Sequence, residues 1–414
     1  GGGAGRPRRG RRGDRTMSYE APFAGIKVID LSQGIAAPYA AMLLAQYGAT
    51  VIKVEVPDGG DWVRVSAPQP GGNTSLSVMG NLGKQSIGLD LKSPEGCAVL
   101  WRLLEGADVF MEGFRAGVIK RLGFGYEAVS AKFPNILYLA MSGFGQTGPY
   151  ADRPAMDPVL QALSGFMAEN RDLNGRPINI ASIQVDLMTA LFAFQALSAA
   201  LYARRDERRG RFIEASLMQG AAWLNSYATL QRVIYDGDPP AARAHRGVYP
   251  TADGWILVIV AGRRGWGDFC QALERPELGD DKRFTTVMGR VANSAELVPI
   301  LSEILAARPN AHWRARFTAH GVMHSIANGS LDFLRDPHVE ATGLFSYLAQ
   351  PGLAMPLPIP SIPGAPALES GTPRATAPLS GADTDAVLRA HGYGAAEIET
   401  LRAQGVVSGP NREA

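Results

Sequence analysis

Two carboxylates in this chain stand where an anionic oxygen could act as a nucleophile. Asp186 closes the run Ala181-Ser-Ile-Gln-Val-Asp186, and the stretch after it, 187–203, carries no charge before the basic stop Arg204-Arg-Asp-Glu-Arg-Arg-Gly-Arg211. A charge-free segment of that length predicts a helix buried on most of its faces. A lone carboxylate at its start would sit against the positive end of the helix dipole, where backbone N–H groups hold it ionised. Placed at the mouth of an apolar core, such an oxygen is suited to attack an electrophilic carbon. The same placement also fits an ordinary N-cap, and periodicity by itself favours that simpler role. Asp157 lies in Arg153-Pro-Ala-Met-Asp157-Pro-Val-Leu, where Asp before Pro and an apolar run is likewise a helix-start signal.

Other chemistries find little footing. Cys97 and Cys270 are the only cysteines, which excludes a disulfide framework and a multi-cysteine metal site. The six histidines (245, 312, 320, 324, 338, 391) are scattered without an H-E-x-x-H arrangement, so no metal is expected. The formal charge of +2 conceals an uneven distribution. Residues 1–16 hold six Arg and one Asp, and removing that +5 leaves the body from Met17 at −3. The folded part therefore gives no support for nucleic-acid binding. The Gly/Arg-rich head has no apolar core for a signal peptide and reads as a disordered extension ahead of a natural start at Met17. The 187–203 run approaches a membrane span in length, but it contains Thr189, Gln195 and Ser198 and has no companion. A soluble, cytoplasmic protein without membrane association is expected.

The elements that must position these residues follow an α/β pattern. The apolar run 26–31, a loop, a helical pattern over 39–47 closed by Gly48, and a strand-like 49–55 form a βαβ unit and imply a parallel sheet. Strands are also expected at 86–91, 108–112 and 136–141, with helices at 93–105, 116–122 and 126–132. The first half is thus a doubly wound, Rossmann-like layer. Its first loop offers one glycine, Gly34, where a dinucleotide fold needs G-x-G-x-x-G, so nicotinamide and flavin cofactors are not expected. Beyond Trp223 a hairpin over 247–261, turning at Asp253-Gly254, and helices at 266–273 and 294–307 suggest a smaller α+β domain. The proline-dense stretch 351–378 reads as an extended connector, followed by helices at 383–391 and 395–404. The expected division is a 1–16 extension, a large domain over 17–230, a small domain over 231–330, and a connector and return to the large domain over 331–414.

Taken in order, several segments resemble the family III CoA-transferases, to which α-methylacyl-CoA racemase is related. They are Gly25-Ile-Lys-Val-Ile-Asp-Leu31, Ala36-Ala-Pro38, Gly48-Ala-Thr-Val-Ile-Lys-Val-Glu55 and Asn81-Leu-Gly-Lys-Gln-Ser-Ile-Gly-Leu-Asp-Leu-Lys92. Gly113-Phe-Arg-Ala-Gly117, Ser142-Gly-Phe-Gly-Gln-Thr-Gly-Pro149 and the Asp186 helix with its Arg208-Arg-Gly-Arg211 stop complete the series. The resemblance implies that family's fold and its interlocked homodimer. It implies CoA transfer from an acyl-CoA thioester to a carboxylic acid, with Asp186 forming an aspartyl anhydride and then an aspartyl-CoA thioester, and with Asp157 supporting it. Coenzyme A, entering as the acyl-CoA substrate, would meet Gln33, Gly34, Ile35 and Ala36, and also Leu89, Lys92, Phe114, Arg115 and Arg121. Two departures stand out: Val56 replaces a phosphate-contacting Arg, and Gly113 an Asn. Met156 occupies the place of the racemase histidine, which disfavours a 2-methylacyl-CoA racemase or isomerase. Intramolecular CoA transfer and a non-catalytic CoA-binding protein are the remaining alternatives. The basic residues Arg243, His245, Arg246, Arg263 and Arg264 are candidates to meet an acceptor carboxylate, though solvated surface charge suits them better.

Overall fold

The computed structural model describes residues 21–66, 72–172, 174–207, 209–238, 246–260 and 262–409. The Gly/Arg head, Met17, Arg243 and His245 lie outside the described residues. The chain divides into two compact units. One runs to Ala228 and resumes at Leu344, and the other spans Thr229–Gly343. The second border falls beyond the expected 330/331, because the short helices Ser330–Leu334 and Pro337–Thr342 group with the smaller unit.

The large unit is built on six parallel strands. They are β1 (Lys27–Asp30), β2 (Thr50–Glu55), β3 (Gln85–Leu89), β4 (Val109–Glu112), β5 (Leu137–Ser142) and β6 (Arg211–Ser216), and a C-terminal strand, Val407–Ser408, adds antiparallel to β3. The spatial order is Val407–Ser408, β3, β2, β1, β4, β5, β6. The chain winds from β1 to one edge and then returns to build the other half, which places a topological switch point between β1 and β4. Strand alternation fills both faces. Val28, Val109, Leu137 and Leu139 enter one core, while Ile29, Phe110 and Tyr138 enter the other.

The helices are α1 (Ala36–Gln46), α2 (Ser75–Asn81), α3 (Pro94–Leu103), α4 (Val118–Arg121), α5 (Tyr126–Lys132), α6 (Asp157–Leu163), α7 (Phe166–Glu169), α8 (Gln184–Glu207) and α9 (Leu217–Leu224). On one face α1 and α8 pack together over the sheet, with α9 against α8. On the other, α3 and the C-terminal helices Thr384–Ala390 and Ala395–Ala403 supply Leu100, Leu103, Leu388 and Ile398. Local signals explain the starts: Ser93 caps α3 by accepting from the Gly96 N–H at 3.0 Å, with Pro94 in the first turn. The contact of α8 with α9 depends on Gly220, because a Cβ there would lie 2.1 Å from Thr189 Oγ1.

Two expectations are corrected. Helix α8 is not buried on most faces. It buries one stripe, Val185, Thr189, Ala190, Ala193, Leu197, Ala200 and Leu201, and leaves Leu191 and Tyr202 exposed on the others. By length and composition it is apolar enough to cross a membrane, yet that stripe is part of the sheet's core. The proline-dense stretch is not a bare connector either. Leu368, Ala375 and Ala377 pack with Met42, Leu43, Val78 and Leu82 in a separate core cluster. Leu357–Pro360 of this stretch pairs antiparallel with Phe345–Leu348 just before it. The apolar residues between the prolines are numerous enough to bury this segment on α1 and α2.

The smaller unit has three antiparallel strands, β7 (Arg246–Thr251), β8 (Gly254–Ile259) and β9 (Met323–Ile326). Trp266, Phe269, Leu301, Trp313 and Phe317 fill its core.

Candidate active site

A cleft of about 570 Å³ opens at the carboxyl ends of β1, β4 and β5, at the switch point where doubly wound sheets bind ligands. Its walls are the loop after β1 and the start of α1 (Gln33–Ala37), the loop after β4 (Gly113–Arg115), and the end of β5 with the segment leading to α6. Asp157 and Asp186 both line it. A larger apolar cavity, about 710 Å³, lies at the opposite ends of the strands. Its one lining carboxylate, Asp108, is already paired with Arg204 at 2.7 Å. The unpaired acidic chemistry therefore belongs to the smaller cleft.

The two carboxylates have different tasks. Asp157 is buried, and its Oδ2 accepts the backbone N–H groups of Val185 at 2.7 Å and Asp186 at 3.1 Å. It thus caps the first turn of α8 from another helix. Neither aspartate caps its own helix: Asp157 follows the capping residue Met156, and Asp186 is the third residue of α8. Gln161, one turn along α6 and fully buried, donates to Asp157 Oδ1 at 2.6 Å. The same side chain donates to Ile180 O at 3.0 Å and accepts from Ile180 N at 3.1 Å. This lock fixes Asp157, and Asp157 fixes the backbone that carries Asp186.

The Asp186 carboxylate has no hydrogen-bond or ion-pair partner among the described residues. Burial, with the negative charge of Asp157 added, pushes its pKa up to about 7. The expectation that the helix start holds this carboxylate ionised is corrected: burial and then the Asp157 charge instead disfavour its ionised form. The result is an unpaired, poorly solvated carboxylate in the cleft whose protonation changes near neutrality.

The loop after β1 is held by ion pairs that the sequence reading did not anticipate. Lys53, 0% exposed, pairs with Asp61 at 2.8 Å and donates to Ser32 O. Asp61 in turn accepts the Gly34 N–H on both oxygens, at 3.1 and 3.2 Å. Lys84 pairs with Asp30 at 2.7 Å and donates to Pro38 O at 2.9 Å. Asp30 accepts the Ser32 N–H at 2.9 Å. Residues 32–38 are thereby tied at both ends and in the middle. Gly34 has φ +81°, and the Trp62 ring lies 3.1 Å from where a Cβ would sit, so glycine is required. No side chain caps α1, and its first residues, Ala36 and Ala37, line the cleft, so a helix N-terminus faces any phosphate or oxyanion bound there. On the other wall, the buried Glu112 accepts the Phe114 N–H at 2.8 Å; burial pushes its pKa up to about 8.

Of the expected residues, Gln33, Gly34, Ile35, Ala36, Phe114, Arg115, Asp157 and Asp186 come together in this cleft. Leu89, Lys92 and Arg121 do not line it. Leu89 is a core residue of β3 beside Val407, while Lys92 and Arg121 are exposed at the turn before α3 and the end of α4. Residues missed from sequence are Trp62, Arg153, Gln161 and the Lys53–Asp61 pair. The Asp157–Gln161 spacing of one helical turn was the one available signal. No group of three or more His, Cys, Asp or Glu placed to hold a metal occurs among the described residues.

Comparison with known proteins identifies the family. A family model described as CoA-transferase family III matches residues 23–384. The chain belongs to that family. Succinyl-CoA:glutarate CoA-transferase of Homo sapiens is 33% identical over 346 residues, covering 81% of this chain and 78% of that protein. Succinate–glutarate CoA-transferase of Agrobacterium fabrum is 34% identical, covering 81% and 87%. Acetyl-CoA:oxalate CoA-transferase of Acetobacter aceti is 34% identical, covering 71% and 77%. Among solved structures, a CAIB/BAIF family protein from Brucella suis superposes with a TM-score of 0.78 at 27% identity, over 90% of this chain and 100% of that one. Rv3272 from M. tuberculosis gives 0.76 at 27%, over 89% and 99%. As a family III member the protein is an enzyme, a CoA-transferase whose substrates are CoA thioesters.

Proposed function

We propose that this CoA-transferase moves CoA between an acyl-CoA and a free carboxylic acid through covalent intermediates on Asp186. The observation that carries the reading is the Asp186 carboxylate, unpaired and poorly solvated in the switch-point cleft, on a backbone held by Asp157. Its oxygen attacks the thioester carbonyl, the C–S bond breaks, and CoA leaves as the thiolate with an aspartyl–acyl anhydride formed. The thiolate then attacks the Asp186 carbonyl of the anhydride, releasing the donor acid and giving an aspartyl-CoA thioester. The acceptor carboxylate attacks that thioester and expels the thiolate again. Attack of the thiolate on the acceptor's acyl carbon forms the new acyl-CoA and frees Asp186. No step needs a strong base, only a positioned and desolvated oxygen. Each tetrahedral step develops an oxyanion, and the start of α1, which lines the same cleft as Asp186, is the proposed source of N–H donors to it.

The coenzyme occupies the wall formed by Gln33–Ala36, Phe114 and Arg115. Several relatives are named for dicarboxylic acids, glutarate and oxalate among them, and an acid of that class is the proposed acceptor. The bare apolar residues on α8 and α9, Leu191, Tyr202 and Trp223, suit burial against a second copy in an interlocked homodimer. Free Cys97 and Cys270 suit a reducing, cytoplasmic setting. The test is CoA exchange followed by mass spectrometry, with succinyl-CoA as donor and a pool of carboxylic acids as acceptors. New acyl-CoA masses that vanish in Asp186→Ala support transfer, and no exchange with any acid would refute it.

A further inference from the structure

We infer that Arg153 is the specificity-determining residue that grips the distal carboxylate of a dicarboxylic acceptor. The inference rests on the transfer reading above. A dicarboxylic acid brings one carboxylate to the reacting centre and leaves the other free in the cleft, where a guanidinium can bind it through paired, charge-assisted hydrogen bonds. Two cationic side chains, Arg115 and Arg153, line that cleft. Arg115 follows Phe114 on the β4 loop, part of the wall proposed for the coenzyme. Arg153 stands on the wall that follows β5, in the segment that runs through Met156 to Asp157 and so to the backbone of Asp186.

The local build of Arg153 suits a carboxylate receptor. Its guanidinium lies over the Tyr150 ring, 4.2 Å from the centroid. Tyr150 is itself braced edge-on by the buried Phe144 at 5.6 Å. The Arg153 N–H donates to Tyr150 O at 2.9 Å, closing the turn that sets this stack. Stacking occupies the guanidinium face and leaves the N–H edge for a bidentate bond, the geometry that matches a carboxylate. Arg153 is exposed and has no ion-pair partner among the described residues, so a substrate carboxylate displaces nothing to reach it. Lysine cannot reproduce the fork, and methionine keeps the bulk without the charge.

The experiment compares kcat/KM for glutarate and for its monomethyl ester, with the same donor, in wild type, Arg153→Lys and Arg153→Met. The ratio of the two acceptors cancels any effect of a substitution on folding or on donor binding. Wild type is expected to prefer glutarate. The preference should fall about 10- to 100-fold in Arg153→Met, the range for losing a charged hydrogen-bonded pair, with part of it restored in Arg153→Lys. A ratio unchanged in Arg153→Met would overturn the assignment while leaving transfer intact. A wild-type enzyme silent with every acid would sink the transfer reading and this inference together.

Discussion

Substituting Asp186, the proposed nucleophile, should make the protein more stable, and by an amount that depends on pH. Asp186 ionises at 3.8 in an unfolded chain and at about 7 in the folded one, because burial and then Asp157 disfavour its charge. Below the unfolded value both states are protonated, and the site costs nothing. As pH rises, the unfolded state releases its proton first, so folding grows steadily less favourable until the folded group also ionises near 7. At 1.36 kcal/mol per pKa unit the full penalty is about 4 kcal/mol. The cleft admits water to a half-buried group, so the measurable cost is about 2–4 kcal/mol. Asp186→Asn removes the ionisation and keeps the shape. Urea unfolding of wild type and variant from pH 4 to pH 8 reads the difference directly. The variant should gain little at pH 4 and about 2–4 kcal/mol at pH 8, with catalysis lost throughout. A gain independent of pH, or a destabilised variant at pH 8, would refute the argument that Asp186 is held in a desolvated state.

Three further outcomes follow from the same contacts. With transfer as the readout, kcat/KM should rise with pH through about 7 as Asp186 ionises, and Asp157→Asn should move that limb to lower pH; a limb that stays in place would show that Asp157's charge is not felt. Asp61→Ala leaves Lys53 buried without its partner, which should destabilise the fold by about 3–5 kcal/mol. It should also raise KM for the acyl-CoA, because the Gly34 N–H loses its acceptor; denaturation and steady-state kinetics check both parts. Gln161→Leu unlocks Asp157 Oδ1 and the Ile180 peptide, at a cost of about 1–3 kcal/mol, and should lower kcat more than it raises KM. Equal changes in the two constants would argue against a positioning role.

The sheet was legible because its strands are short β-branched runs separated by helix signals, and both faces are buried. Asp186 was legible as an exceptional carboxylate next to a charge-free run. Its environment was not, because the cap that holds its backbone comes from Asp157, 29 residues earlier in the chain. The charge-free run of α8 suggested burial on most faces, yet a hydrophobic pattern cannot say which apolar faces the same chain covers. The edge strand β6 was hidden by its charges, Arg211 and Glu214, which an edge tolerates. Nothing in the spacing of Lys53, Asp61, Asp30 and Lys84 marks them as partners, and only the packing of β1, β2 and the following loops makes them buried pairs beneath the cleft. Proline density suggested an extended connector over 351–378, but the intervening Leu and Ile residues decided its fate by burial on α1 and α2.

The central claim is that Asp186 becomes covalently bound to CoA. Incubating the enzyme with succinyl-CoA alone, quenching in acid and mapping peptides by mass spectrometry tests it most directly. The expected result is a CoA adduct, formed with loss of water, on the peptide that contains Asp186, and none in Asp186→Asn. An adduct confined to another residue, or full transfer activity in the Asn variant, would contradict the account.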